Sequence, residues 1–313
     1  MKRLAVMMPG QGSQFVGMGR DLAAADSRAS ELFERADDVL GVALRRICWE
    51  GPEEELRRTE NAQPAILLHS IVTWMLLPEA VRDVAVVGAG HSLGEFSAYV
   101  AAGALSFDDG LRLVRRRGEL MAKSGVERAG TMAAVIGLDP DVVAEACQVA
   151  SAADGVVVPA NFNAPGQIVI SGDVAAVEAA MREAEDRGAR KVVSLNVSGA
   201  FHSPLMESAR AGLATELEEV PLQDPRFPVV ANASATEVRT ADEATERLVE
   251  QLTSPVRWVE SVGTLATAEP DLWLELGPGR VLSGLLKRID RSQESVAVGT
   301  PHEIELLLER LHA

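Results

Sequence analysis

Apolar residues along this chain follow two rhythms. Short continuous runs, "RLAVMM" (3–8), "VAVVGA" (84–89) and "LWLELG" (272–277), are bounded by glycine or proline and read as strands buried on both faces. Between them, apolar positions recur every three or four residues, the helical period. "DLAAADSRASELFERADDVL" (21–40) predicts one helix, "NAQPAILLHSIVTWMLLPEAV" (61–81) an apolar one, and "GEFSAYVAAGAL" (94–105) a third. "SFDD" is a capping box that opens a helix to about Lys123. The pattern changes near Gly130. "TMAAVIGL" is a strand, "PDVVAEACQVA" a helix, and "VVVPANFN" with "QIVISG" a hairpin around "APG". "DVAAVEAAMREAEDRG" is a helix and "RKVVSLNVS" (190–198) a strand. That order, β-α-β-β-α-β, is ferredoxin-like. The larger unit resumes with helix "PLMESARAGLATELEEV", strand "FPVVANAS" (227–234), helix "ADEATERLVEQLT", strand 272–277 and a helix after "PGR". The expectation is an α/β protein. A large parallel-sheet domain takes residues 1–129 and 199–313, and a small ferredoxin-like domain is inserted at 130–198.

Composition narrows this picture. The chain has 313 residues, 47% of them hydrophobic, enough for a large core and a smaller one. A net charge of −16 argues against nucleic acid as a partner, though a local basic pocket can still hold a small anion. The two cysteines, Cys48 and Cys147, lack metal-type spacing and read as buried free thiols of a reducing compartment. "MKRLAVMM" is broken too early by "PGQGSQ" to be a signal peptide, and "AILLHSIVTWMLL" is too short to span a bilayer. No membrane contact is expected, the cytoplasm is the expected location, and no heptad suggests anything but a monomer.

Candidate chemistry begins at "GHSLG". A serine hydroxyl is a weak nucleophile. It needs a tight turn to expose it, a base within hydrogen-bond reach and donors for an oxyanion. Gly90 and Gly94 allow a sharp strand-to-helix turn that would raise Ser92 at a helix N-terminus. Of five histidines, His69 sits in an apolar helix, His302 and His312 lie near the C-terminus, and His91 adjoins the serine on the turn. His202, in a loop between a strand and a helix, is the candidate base. No acidic residue stands in a telling motif between Ser92 and His202, so a dyad is expected, with a backbone carbonyl orienting the imidazole.

The helix after "SFDD" carries Arg115, Arg116 and Arg117. Arg115 and Arg116 have mixed or charged neighbours at i±3 and i±4 and read as solvated or mixed. Arg117 has Leu113, Val114, Leu120 and Met121, which puts it on the buried stripe. A buried guanidinium needs an anion. An internal carboxylate would meet that need, and so would a substrate carboxylate held in two parallel hydrogen bonds. The second reading points to an acyl group that ends in a carboxylate.

With these residues in place, the chain resembles the malonyl-CoA:acyl carrier protein transacylases, both the FabD-type enzymes and the trans-acting acyltransferases of polyketide synthases. "PGQGSQ", "GHSLGE", "RRRGELM", "NFNAPGQIVISG", "VSGAFHSPLM", "SPVRW" and "ELGPG" match in family order across essentially the whole chain. The resemblance implies an α/β-hydrolase-like large domain with an inserted ferredoxin-like domain. It implies Ser92 as acyl-enzyme nucleophile, His202 as base and acid, and the backbone N–H groups of Gln11 and Leu93 as oxyanion hole. Arg117 would bind the malonyl carboxylate, the Gln251 carbonyl would orient His202, and Gln63 and Asn163 would lie near the pocket. Phe201, one residue before the histidine, resembles the malonyl-selective pattern. A ring there would crowd an α-methyl branch, a discrimination of about 1–3 kcal/mol.

The expected reaction moves malonyl from malonyl-CoA to the phosphopantetheine thiol of acyl carrier protein, for fatty acid or polyketide synthesis, without metal or other cofactor. A serine hydrolase or thioesterase would use the same serine and base but has little need of Arg117. A binding-only relative has no need of Ser92 and His202. Because carrier proteins are acidic, Arg190, Lys191, Lys287 and Arg288 are candidate docking residues.

Overall fold

The computed structural model describes residues 2–197 and 199–312. It contains a six-stranded sheet and a separate four-stranded one. The strands in chain order are β1 (Leu4–Met8), β2 (Ala85–Gly90), β3 (Gly130–Ile136), β4 (Val157–Ala164), β5 (Gln167–Asp173), β6 (Lys191–Ser194), β7 (Val229–Val230), β8 (Glu237–Val238), β9 (Leu272–Leu276) and β10 (Ser295–Val298). The large sheet runs β10-β9-β1-β2-β7-β8, parallel except for the last pair. The small sheet, β4-β5-β3-β6, is antiparallel, the ferredoxin-like order.

Alternation along β1 explains why both faces of the large sheet are covered. Leu4, Val6 and Met8 point into the core shared with helix Thr59–Leu76 and its neighbours. Ala5 and Met7 point the other way, into a second core with Trp258, Trp273 and Leu286. The small sheet has its own core, in which Ala133, Val135, Ile168 and Ile170 meet Cys147, Val177 and Ala180 from its two helices. A backbone bridge joins the two units. Phe162 N–H donates to the Val256 carbonyl and Val256 N–H to the Ala160 carbonyl, both at 2.9 Å. This clamp on β4 holds Asn161 and Asn163 over the large domain.

Several elements differ from expectation. The helix predicted over 21–40 is two, Arg20–Ala25 and Ser27–Leu40. Asp26 between them is extended and its carboxylate caps the second helix by accepting from Arg28 N–H, which ends the first one. The strand expected at 227–234 pairs only over Val229–Val230, because Ala231 and Asn232 leave the ladder for other partners. The strand predicted over 190–198 pairs only over Lys191–Ser194, and Ser198 lies outside the described residues. The Ser106 capping box forms, with Ser106 Oγ accepting from Asp109 N–H, and its helix runs past Lys123 to Glu127. Strand β10 and helix Pro301–His312, not foreseen, complete the far edge of the large sheet. Among the described residues no helix is long and apolar enough to cross a membrane.

Arg115 shows how sequence periodicity misses a long-range partner. It is only 22% exposed. Pro64 lies inside helix Thr59–Leu76 and has no N–H for the Glu60 carbonyl one turn back. Arg115 Nη1 donates to that carbonyl at 3.1 Å and to Asn61 Oδ1 at 2.6 Å, while its Nε holds Glu119. The guanidinium thus satisfies the acceptor that the proline frees. Arg116 pairs with Glu216 on the surface.

Candidate active site

Strand β2 delivers the chain to Ser92, and helix Leu93–Ala101 leaves it. The turn is steric in origin. A Cβ on Gly90 would overlap the Gly94 carbonyl, and a Cβ on Gly94 would overlap the Met8 carbonyl. Only two glycines allow this approach. Ser92 itself is held at φ 51°, ψ −110°, a sparsely populated conformation that persists because its surroundings over-determine it. Asn232 supplies part of that restraint. Its Oδ1 accepts Ser92 N–H at 2.7 Å and its Nδ2 donates to the Gly90 carbonyl at 2.7 Å.

Ser92 Oγ lies 2.7 Å from His202 Nε2. His202 Nδ1 faces the carbonyl oxygens of Gln251 at 3.0 Å and Ser254 at 3.2 Å. Carbonyls only accept, so Nδ1 carries the proton and Nε2 presents a lone pair to the hydroxyl. Among the described residues no carboxylate bonds the imidazole. His202 also sits at positive φ, 57°, and is buried. Burial, and secondarily the Arg117 charge, push its pKa down to about 3, so the ring is neutral at pH 7.

Arg117 is 1% exposed. Its Nη2 reaches Ser92 Oγ at 3.1 Å and Gln251 Oε1 at 2.8 Å, and its Nη1 reaches Gln63 Oε1 at 2.7 Å. Among the described residues no carboxylate forms an ion pair with it. Burial lowers its pKa to about 10, with a partly offsetting influence from Glu95, so it stays charged. Phe96 carries it on the ring face, 5.5 Å from the centroid. The neutral amides of Gln63 and Gln251 therefore aim the cation without neutralising it.

Serine, imidazole and guanidinium line one cleft of about 600 Å³, with Met132, Asn163 and Phe201 also on its wall. Gln11 and Leu93 flank the serine there. Among the hydrogen bonds of the described residues neither backbone N–H is a donor, and Leu93 N–H stands at a helix N-terminus. Gln63 lies near the cleft, one layer behind its wall. It is fully buried behind Arg117 rather than on the cleft wall, and it starts a relay in which Gln63 Nε2 donates to Thr59 Oγ1 and Thr59 Oγ1–H to Gln11 Oε1. Asn163 Oδ1 binds His91 Nε2 at 2.7 Å, which turns that imidazole toward the small sheet and Trp258 rather than toward Ser92.

Three contributions were not legible in advance. Asn232, Glu95 and the side chain of Gln251 knit the site from behind. Glu95 Oε2 accepts from Asn232 N–H and from Gln251 Nε2. The letter "E" of "GHSLGE" was the only signal, and it gave no hint of burial.

The buried imidazoles set an acid limit on stability. Burial lowers His69 to about 4, His91 below its ordinary value and His202 to about 3, against 6.5 for a free imidazole. As pH falls below about 6.5, the unfolded chain binds these protons first, so stability is lost. Glu95 acts in the opposite sense. Burial raises it from 4.5 to about 7, so its cost to stability is relieved on acidification. Three groups oppose one, and the expected result is a melting temperature that falls from pH 7 to pH 5. Calorimetry in matched ionic strength checks this; a flat or rising value contradicts the neutral-imidazole assignment.

The comparisons decide the family. The acyl transferase domain matches residues 6–302. This chain belongs to that family. It is 42% identical, over 99% of its length and 98% of the relative's, to the malonyl CoA-acyl carrier protein transacylase of Bacillus subtilis. The crystal structure of the malonyl-CoA:acyl carrier protein transacylase FabD of Xanthomonas oryzae superposes with a TM-score of 0.94 at 43% identity, covering 99% of this chain and 98% of that one. A malonyl-transacylase in complex with its type II polyketide synthase acyl carrier protein superposes at 0.93 with 40% identity, covering 98% and 99%. The acyl transferase family member described here is an acyltransferase with the two-sheet fold of the FabD structures.

Proposed function

We propose that this acyltransferase moves malonyl from malonyl-CoA to the phosphopantetheine thiol of an acyl carrier protein through a Ser92 ester. The observation that carries the reading is the Arg117 guanidinium 3.1 Å from Ser92 Oγ, with no carboxylate among the described residues ion-paired to it. One end of a short diacid can be gripped there while the other is esterified.

His202 Nε2 takes the Ser92 proton as Oγ attacks the thioester carbonyl. The backbone N–H groups of Gln11 and Leu93 receive the oxyanion. The C–S bond breaks, and the proton returns from His202 to the departing CoA thiolate. In the second half the carrier thiol gives its proton to His202 and attacks the ester, and Ser92 leaves with that proton restored. The Gln251 carbonyl keeps Nδ1–H aligned throughout. A hydrolase would have the same serine and base, and Arg117 is what speaks against it. Phe201 on the cleft wall favours malonyl over methylmalonyl.

Further parts of this reading are the division into 1–129 with 199–313 and 130–198, a monomeric cytoplasmic enzyme, and carrier docking on exposed cations such as Arg190, Lys191, Lys287 and Arg288. Arg288 also bonds Gln167 of the small sheet, at the junction of the two units.

Intact-mass spectrometry after mixing with malonyl-, methylmalonyl- or acetyl-CoA tests the proposal. Expected is one malonyl group, mapped to the peptide bearing Ser92, that disappears on adding carrier protein and reappears on it; methylmalonyl forms more slowly. An adduct lost to water as fast without carrier as with it rejects transfer in favour of hydrolysis.

A further inference from the structure

Glu95 is a fully buried carboxylate in the first turn of the helix that follows the serine. Among the described residues it has no ion pair. Its Oε2 accepts two hydrogen bonds, from Asn232 N–H at 2.9 Å and from Gln251 Nε2 at 2.7 Å. Both donors continue to the site. Asn232 holds Ser92 N–H through Oδ1, and Gln251 accepts Arg117 Nη2 through Oε1.

A carboxamide has chemically opposite ends, and which end points where is decided by its partners. At Gln251 the NH₂ end meets only acceptors, Glu95 Oε2 and the Ser92 carbonyl at 3.0 Å. The oxygen end meets a cation. Reversing the amide would aim N–H groups at a guanidinium and an oxygen at a carboxylate. Glu95 Oε2 is the acceptor that both donors share, and a buried donor left without its partner costs the full desolvation of that group. Glu95 lies in the low-dielectric interior, where a hydrogen bond is electrostatically stronger than in water.

We propose that Glu95 is a positioning residue that fixes the polarity of the Gln251 amide, and through it the aim of Arg117, and so sets the preference for acyl groups bearing a carboxylate. This rests on the reading that Arg117 grips the malonyl carboxylate. Acetyl carries no carboxylate for Arg117 to grip, so its transfer depends on Glu95 through the bonds that Asn232 and Gln251 make to the Ser92 backbone.

The test compares Ser92 acylation rates from malonyl-CoA and acetyl-CoA in quenched-flow mass spectrometry. Glu95→Leu has nearly the same volume and no acceptor; Glu95→Gln restores an acceptor oxygen. The expected result is a malonyl-to-acetyl ratio about 10–100-fold lower in the Leu variant, the cost of leaving one buried amide donor unpaired, and a ratio within about threefold of wild type in the Gln variant. Should the Leu variant fail to fold by circular dichroism, Glu95→Ala carries the same comparison. An unchanged ratio, equal losses for both donors, or no recovery with Gln overturns the inference. A wild type that forms a malonyl ester beside a Leu variant with unaltered ratio removes only this inference; a wild type that forms none removes the parent reading as well.

Discussion

Replacing His202 by alanine lowers kcat/KM for malonyl transfer by about 10³- to 10⁴-fold, the range for loss of a positioned base that works as a unit with its nucleophile. The expectation follows from what surrounds Ser92 Oγ. Among the described residues its hydrogen-bond partners are His202 Nε2 at 2.7 Å and Arg117 Nη2 at 3.1 Å, and a guanidinium cannot accept a proton. His91 cannot substitute, because its Nε2 is committed to Asn163. The pH profile supplies an independent check. With the His202 pKa pushed down to about 3, the base is already unprotonated at pH 5, so kcat/KM should not fall through a midpoint near 6.5. Initial rates at low temperature, where acid lability is least troublesome, read this out. A midpoint near 6.5, or an alanine variant within tenfold of wild type, would assign the proton transfer elsewhere.

Replacing Arg117 by alanine lowers acylation by malonyl-CoA by about 10²- to 10³-fold, as expected when one partner of a buried charge pair is removed, and leaves acetyl-CoA within about tenfold. The donor preference inverts as a result. Lysine at this position does not restore malonyl transfer. Arg117 spreads its donors over Gln63, Gln251 and Ser92 from two nitrogens of one rigid plane, and a single ammonium cannot hold those amides and still meet a carboxylate with two parallel bonds. Labelling of Ser92 by a fluorophosphonate, which carries no acyl carboxylate, reports whether serine and imidazole survive the substitution. Equal losses for malonyl and acetyl donors would show that Arg117 serves the fold rather than the substrate.

Local rules reached far into this molecule. Buried runs located β1, β2 and β9, and the change of rhythm near Gly130 located the small sheet, because period and composition are properties of neighbouring residues. The turn at Ser92 was readable since its demand for two glycines is met within five residues. Arg117 stood out because its helix neighbours are apolar. The split at Asp26 was missed although the cap is local, because a strong apolar period on both sides masked an extended residue.

What the chain's own order of residues determined was the fold class, the serine turn, the histidine to pair with it and an arginine in an apolar stripe. Tertiary structure alone decided where that arginine points, which carbonyls fix the imidazole tautomer, and that Glu95, Asn232 and the Gln251 side chain join behind the reacting atoms. The reason is distance along the backbone: the bonds that aim these groups link residues 49 to 159 positions apart. No period, cap or turn rule acts over such separations, and a buried polar side chain reveals its role only when its partners are in place.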